Sequence, residues 1–473
     1  MTSVSDPARP IALHPLKARL PHRPSTPVML AFAFTAAWVI LAVCRTVRGD
    51  DYTYDTAIFT EAVKGWATHG APWDPIKGMN LLGDHWSPII ALLAPVWWVW
   101  PSPLMLVTAQ AVLFGSSVGV VGDTAVRLLG RSRGACLTVA YGLAWGLAQA
   151  VAAGFHEIAF AVPVLAVVGR QLLLGRPERA AVWSLPLLLV KEDLGLTVAA
   201  LGVLLAWQHG RRLLGSLLAV VGVGATLAEV FVLIPMFNPH HHYAYFTELP
   251  GGGWHLLAAL VWPAIKVQTL GWVLGITGFM CLRSPLLLLA VPTLLWRFES
   301  SNPEYWNTYW HYSAPLMPIV FLAAVDGWQR LIMSPRPWAR SYARQAPGVL
   351  VAAAVVAAFS LPQGLSDLLN SGTYPHGPHT AALLAANRVI PPGMTVAADP
   401  GQLSALAAKD TATFVWQGGR GIAFDPRPQY IAMDTQWWQV RNVTAWADQE
   451  HPGSSYRVVF QQDGVYVLKR VGD

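Results

Sequence analysis

The chain has 473 residues, of which 54% are hydrophobic and only 12% charged. A soluble domain carries about a quarter charged residues, so the composition excludes an ordinary soluble enzyme and indicates an integral membrane protein. The net charge of +6 comes with no nucleic-acid-binding pattern, and Cys44, Cys136 and Cys281, all in or beside apolar runs, give neither a disulfide framework nor a metal site.

In chain order, residues 1–27 are a polar, basic tail, and 28–47 is a first apolar span long enough to cross a bilayer. The segment from Gly49 to Pro88 then breaks the apolar pattern with Asp50, Asp51, Asp55, Glu61, Asp74, Asp84 and His85. Ionisable groups at the lip of a bilayer are costly and call for a function. Trp86–Trp100 is apolar but short, and Pro101-Ser102-Pro103 ends it. It reads as an interfacial helix within a first outer loop at 48–102. Further spans follow at 103–126, 135–153, 158–175, 180–190, 194–208, 213–235, 268–282, 284–297, 313–329 and 347–363, about eleven in all.

The connecting loops sort by charge. One set holds seventeen Lys and Arg, from Arg9 to Arg344, against Asp6 and Glu178. Basic loops stay in the cytoplasm, which puts the amino terminus inside. The opposite set holds the 48–102 loop, His156-Glu157, Lys191-Glu192-Asp193, His240-His241-His242 and Glu299 to His311. Ionisable clusters from five separate loops thus meet on the outer face, as the parts of one site would. After the transmembrane domain (28–364), residues 365–473 read as a small α/β domain. Strands are expected at 394–398, 429–434, 457–461 and 465–469, with a helix at 402–409. Asp463-Gly464 is a hairpin turn signal. Asn442-Val443-Thr444 matches a glycosylation acceptor, a pattern short enough to arise by chance.

Asp55-Thr56-Ala57-Ile58-Phe59-Thr60-Glu61, followed by Gly70 and Trp73, resembles the first-loop motif of GT-C membrane glycosyltransferases such as protein O-mannosyltransferases and aminoarabinose transferases. Asp84-His85-Trp86-Ser87-Pro88 stands where those proteins open a second interfacial helix. Asp55 to Phe59, Gly83-Asp84-His85, Phe155-His156, Lys191-Glu192-Asp193 and His311-Tyr312 together resemble the bacterial domain-of-unknown-function family 2079. The resemblance covers most of the chain and departs from that family's pattern at Glu157, where proline is usual. It implies a polytopic α-helical, GT-C-like fold with juxtamembrane helices, plus the C-terminal α/β domain. It also implies an inverting, carboxylate-assisted transfer of a sugar from a polyprenyl-phosphate donor in the membrane lipid to an acceptor the sequence does not name.

On that reading Asp55 is the base, with Asp51, Asp84 and His85 in support, although Asp55 and Asp84 at helix starts are equally expected to cap. Arg297 is the first choice for the donor phosphate because a guanidinium binds phosphate bidentately, and Lys191 is its helper. Lys266 is expected to snorkel. His156, Glu192, Asp193, His311 and Tyr312 complete the binding set. No cofactor motif is present, no metal ligands are assigned, and a divalent ion on the first-loop carboxylates is left open. A transporter or flippase, or a non-catalytic assembly protein, would share the composition. A transporter would place its charges near the midplane on repeated halves, and no repeat is seen.

Overall fold

The structure is a computed structural model that describes residues 26–50, 53–248, 260–362, 364–416, 422–436, 438 and 440–472. Among these, five helices are long and apolar enough to cross a bilayer: Thr26–Val47, Pro103–Leu129, Arg131–Ala152, Arg212–Phe237 and Pro337–Ser360. The other expected spans are helical but shorter or broken, including Ala161–Leu173, Leu194–Gln208, Ala264–Gly275 and Leu316–Ile332. Proline explains much of the difference. Pro186, Pro285 and Pro292 each begin a new helical turn, so apolar runs that look continuous are divided. Leu316–Ile332 is buried on nearly every side and forms the middle of the bundle.

Two helices meet backbone to backbone. A Cβ on Gly202 would lie 2.4 Å from the Gly215 carbonyl, and one on Gly222 would lie 2.4 Å from the Gly195 carbonyl. Leu194–Gln208 and Arg212–Ala228 therefore form a hairpin closed by small residues, the packing that lipid surroundings favour. It begins directly after Lys191-Glu192-Asp193, so those charges sit on a rigid support.

The first loop folds against the bundle. Helix Asp55–His69 ends at Gly70, whose φ of 70° makes the left-handed cap. Trp73–Asp74 and Met79–Asn80 pair antiparallel, a short 3₁₀ turn covers Leu81–Gly83, and Pro88–Leu93 runs into Ala94–Trp97. The helical part of Trp86–Trp100, Pro88–Trp97, is thus ten residues long, about half what a bilayer requires. Its end is tied to the first-loop helix, where Trp98 Nε1 donates to the Ala67 carbonyl at 2.9 Å.

The tail is a five-stranded mixed sheet: β1 (Thr395–Ala398), β2 (Thr411–Phe414), β3 (Tyr430–Asp434), β4 (Tyr456–Gln462) and β5 (Val465–Arg470), in the order β2-β1-β3-β5-β4. β1 is parallel to β2 and β3, whereas β5 is antiparallel to β3 and β4. Asp463 and Gly464 both have positive φ, as a two-residue hairpin turn requires. Sequence reading missed β2, whose four residues Thr-Ala-Thr-Phe are too few to show a period. Asn442 caps the helix Val443–Glu450 by accepting from Ala445 N at 3.1 Å, a local reason for that residue. The tail docks on the back of the Asp55–His69 helix. Glu61 accepts from Ala412 N in β2 at 3.1 Å, and Lys64 donates to the Ala407 and Asp410 carbonyls.

Candidate functional site

A cavity of about 570 Å³ opens where the first loop, residues 156–157, 191–193, 243–248 and 296–312 converge. Its wall contains seven carboxylates (Asp55, Asp84, Glu157, Glu192, Asp193, Glu248, Glu304), three histidines and two lysines. Among the described residues, no tail residue lines it.

Asp55 is the first residue of its helix and donates its backbone N–H to Thr53 Oγ1 at 3.4 Å. Its carboxylate caps nothing. Instead, Oδ2 lies 3.2 Å from His156 Nε2. His156 is placed by backbone contacts. Its N–H donates to Gln110 Oε1, while Gln110 Nε2 donates to the carbonyls of Ala150 and Gly154. Gly154 is required at this point: its φ is +84°, and a Cβ there would lie 2.1 Å from Thr56 Oγ1. Burial raises the Asp55 pKa, but the His156 charge and the hydrogen bonds from His156 and Thr53 outweigh it and leave it below the usual range.

Asp84 pairs with Lys77 at 3.0 Å and accepts from Tyr245 OH at 3.2 Å. Burial again opposes its ionisation, and Lys77 and His85 overcome that and lower its pKa. The loop ahead of Asp84 is tied to the end of the long helix Arg212–Phe237. Asn238 Nδ2 donates to the Gly83 carbonyl, and a Cβ on Gly83 would lie 2.5 Å from the Phe237 backbone. His85 Nδ1 meets Glu192 Oε1 at 2.7 Å, and Tyr243 OH donates to the same oxygen at 2.9 Å. Tyr245 stacks on His85 with centroids 4.5 Å apart. Lys191 pairs with Glu157 at 2.9 Å, and Trp296 Nε1 donates to Asp193 at 2.8 Å. Burial and the Glu192 charge raise the Asp193 pKa to about 6, against the pull of Lys191 and Trp296.

The His85–Glu192 pair has a definite pH signature. Burial raises the Glu192 pKa, but His85 and Lys191 bring it down to about 2. Burial and Lys191 lower that of His85, but Glu192 and Asp84 raise it above 6.5 overall. Glu192 contributes stability above its ordinary 4.5 and loses it as pH falls towards about 2. His85 contributes below 6.5 and loses it as pH rises through its raised value. The melting-temperature gap between wild type and His85→Asn is expected to be widest between pH 4.5 and 6.5. A gap that keeps growing above that window would contradict the pairing.

Arg297 does not join this set. It is fully buried and absent from the cavity wall. Its fork donates to the carbonyls of Tyr305, Asn307 and Tyr312 and to Ser313 Oγ, at 2.9, 2.9, 3.5 and 3.0 Å. The expectation that it holds phosphate is therefore corrected: its donors fold the 305–313 loop. Lys266 does not snorkel either, since its ammonium is buried, donates to the Phe298 carbonyl and lies over Trp306. Asp51 lies outside the described residues. Of the remaining first-loop acids, Asp50 pairs with Arg48, Glu61 binds the tail, and Asp74 accepts from Ile76 N. These carboxylates are dispersed, and among the described residues no three His, Cys, Asp or Glu form a metal-holding group. His240, His241 and His242 are exposed on a loop.

Sequence reasoning missed Lys77, Tyr243 and Tyr245. Lys77 is one of two lysines inside the acidic loop and lies away from any span end. The two tyrosines follow the His triplet in a segment with no motif of its own.

Residues 51–467 match the family described as "Predicted membrane protein (DUF2079)". The chain belongs to that family. No curated protein matches this DUF2079 member. Among solved structures, it is similar to ArnT from Cupriavidus metallidurans bound to undecaprenyl phosphate. Identity is 16%, the TM-score is 0.53, and 93% of this chain and 97% of that one are covered. The apo state of ArnT aligns at 15% identity with a TM-score of 0.49, over 93% and 98%. The DUF2079 protein thus shares the fold of that ArnT structure, polytopic and α-helical with a small C-terminal sheet domain.

Proposed function

We propose that this protein is a membrane glycosyltransferase that moves a sugar from a polyprenyl-phosphate donor to an acceptor outside the cytoplasm. The observation that carries the reading is Asp55: a carboxylate at the head of a first-loop helix, facing the cavity, in a chain with the fold of a protein solved with undecaprenyl phosphate. The cavity wall suits an amphipathic lipid, since Ile58, Leu196, Val230 and Phe246 lie beside the ionic groups. In the reaction, the acceptor oxygen attacks the anomeric carbon and its proton passes to Asp55. The carbon–oxygen bond to phosphate breaks with inversion, and the lipid phosphate leaves with the electron pair. Lys77 and Lys191 are the ammonium groups that face the departing charge.

This reading puts the amino terminus inside, the first loop and tail outside, about eleven crossings between them, and 86–100 along the interface. Protein in nanodiscs is expected to bind undecaprenyl phosphate saturably, with undecaprenol failing to compete. Equal binding of the two lipids, or of neither, would remove the donor assignment. A cysteine at Ser371, which is exposed, should be labelled from outside, and one at Arg176 should be protected. The reverse pattern would overturn the orientation.

A further inference from the structure

Lys77 is one of the two ammonium groups in the cavity wall, and it stands on a turn. Trp73–Asp74 and Met79–Asn80 are strands of two residues each, joined by residues 75–78. A hairpin this short is not held in shape by its own pairing, so the position of Lys77 depends on what braces the turn. One brace is local: Ile76 N–H donates to Asp74 Oδ1 at 2.8 Å. The other comes from the tail. Ala423 N–H donates to the Ile76 carbonyl at 2.6 Å. On the far side of Lys77, Gly78 has a φ of +66°, and a Cβ there would lie 2.9 Å from the Ala423 Cβ. Ala423 thus bonds the residue before Lys77 and lies against the residue after it.

The segment that carries Ala423 is itself anchored. Phe424 stacks on the buried ring of His451, with centroids 4.9 Å apart and planes 11° from parallel. The Pro428 carbonyl accepts from Tyr456 OH at 2.9 Å, and β3 begins at Tyr430. An arm therefore runs from the root of a sheet strand to the tip of the first-loop hairpin. The Lys77 ammonium pairs with Asp84 at 3.0 Å. Asp84 is held from another side, where Asn238, at the end of a long membrane helix, bonds the Gly83 carbonyl. One partner of this ion pair is fixed by the bundle and the other by the tail. Lys191, the second ammonium, pairs with Glu157 just ahead of the helix Leu194–Gln208. The two lysines of the wall thus rest on different parts of the molecule.

We propose that Ala423 is a positioning residue of the donor subsite: its arm seats Lys77, so the tail sets how strongly the cavity holds a lipid phosphate from outside the cavity wall. The inference rests on the reading of Lys77 and Lys191 as the groups that meet the donor phosphate. Ala423 acts only through Lys77, and a double-mutant cycle isolates such a coupling. The other contacts of the tail, at Glu61 and Lys64, fall on the back of the helix Asp55–His69 and do not touch this turn.

The test is binding of undecaprenyl phosphate to the full chain in nanodiscs. Ala423→Pro removes the N–H that holds Ile76. It is expected to weaken binding about tenfold, the order of one charge-assisted hydrogen bond. Lys77→Met should lose about as much, and the double variant no more than Lys77→Met alone. In a Lys191→Met background the loss from Ala423→Pro should persist in full. Penalties that multiply in the Lys77→Met background overturn the proposal, and so does unchanged binding by Ala423→Pro. If Ala423→Pro does not fold, Gly78→Ala, which sets a Cβ against Ala423 from the other side, runs the same cycle. Should the wild type bind no undecaprenyl phosphate, the donor reading falls, and the seating of Lys77 is read without ligand. Acylation by N-hydroxysuccinimidyl acetate, followed by peptide mass spectrometry, is then expected to be severalfold faster at Lys77 in Ala423→Pro, with the rate at Lys191 unchanged. Equal rates at Lys77 in variant and wild type overturn the seating itself.

Discussion

Replacing Asp55 with Asn is expected to reduce sugar transfer by about 10²–10⁴ while the protein stays folded. Among the described residues the Asp55 side chain makes no bond to the backbone of its helix, whose N-cap position is Tyr54, so the substitution should leave that helix supported. What it removes is the first-loop carboxylate that faces the cavity beside His156 and keeps a lowered pKa. Asn keeps the shape and can still meet His156 through its amide oxygen, so binding of the lipid should survive. The measurement is transfer from a polyprenyl-phosphate sugar by wild type and variant of matched thermal stability. Wild-type turnover in the variant would shift the base assignment to Asp84, the other first-loop carboxylate in the wall that carries a lowered pKa.

Arg297→Ala is expected to act on folding, with a loss of about 3–5 kcal/mol. Four acceptors surround the guanidinium and would be stranded in a dry site. Leaving a buried acceptor unsatisfied costs about 1–3 kcal/mol each before relaxation. Arg297→Lys should fail nearly as badly, because a single ammonium cannot reach a fan of acceptors in three directions. Thermal unfolding in detergent checks this. A stable variant that has lost only undecaprenyl phosphate binding would restore the phosphate role and contradict the buried geometry.

These two residues show what a sequence can and cannot reveal. The site was legible at Asp55, Asp84, His85, His156, Lys191, Glu192, Asp193, His311 and Tyr312 because each interrupts an apolar pattern, and an interruption is visible in one dimension. The structure brings all nine to one cavity wall. The direction of a side chain is not visible in this way. Arg297 stands one position beyond Trp296, which does line the cavity, and helical rotation turns the guanidinium the other way. The lengths of the helices were hard to read for a related reason. Hydropathy records what surrounds a segment, whereas helix length depends on an unbroken chain of N–H donors, and proline divides that chain without lowering hydropathy. In the tail, the strands with a turn signal were found, and β2 was missed because its pairing is supplied by β1 and by Glu61 from the far end of the chain.

The bond from Glu61 to Ala412 joins residues 351 positions apart. At about 5–20 residues per second of synthesis, roughly 18–70 s separate the making of the first partner from the second. Throughout that interval the rear of the helix that bears Asp55 lacks its sheet, and Glu61 and Lys64 have only each other. The first loop of the chain is thus completed by the last part to be made. A ribosome stalled before residue 412, or a protein cut between the bundle and the sheet, would leave an inserted but unfinished machine. Maturation of the centre therefore waits on the far terminus, and any quality control that tests for a docked sheet also tests for a seated Asp55.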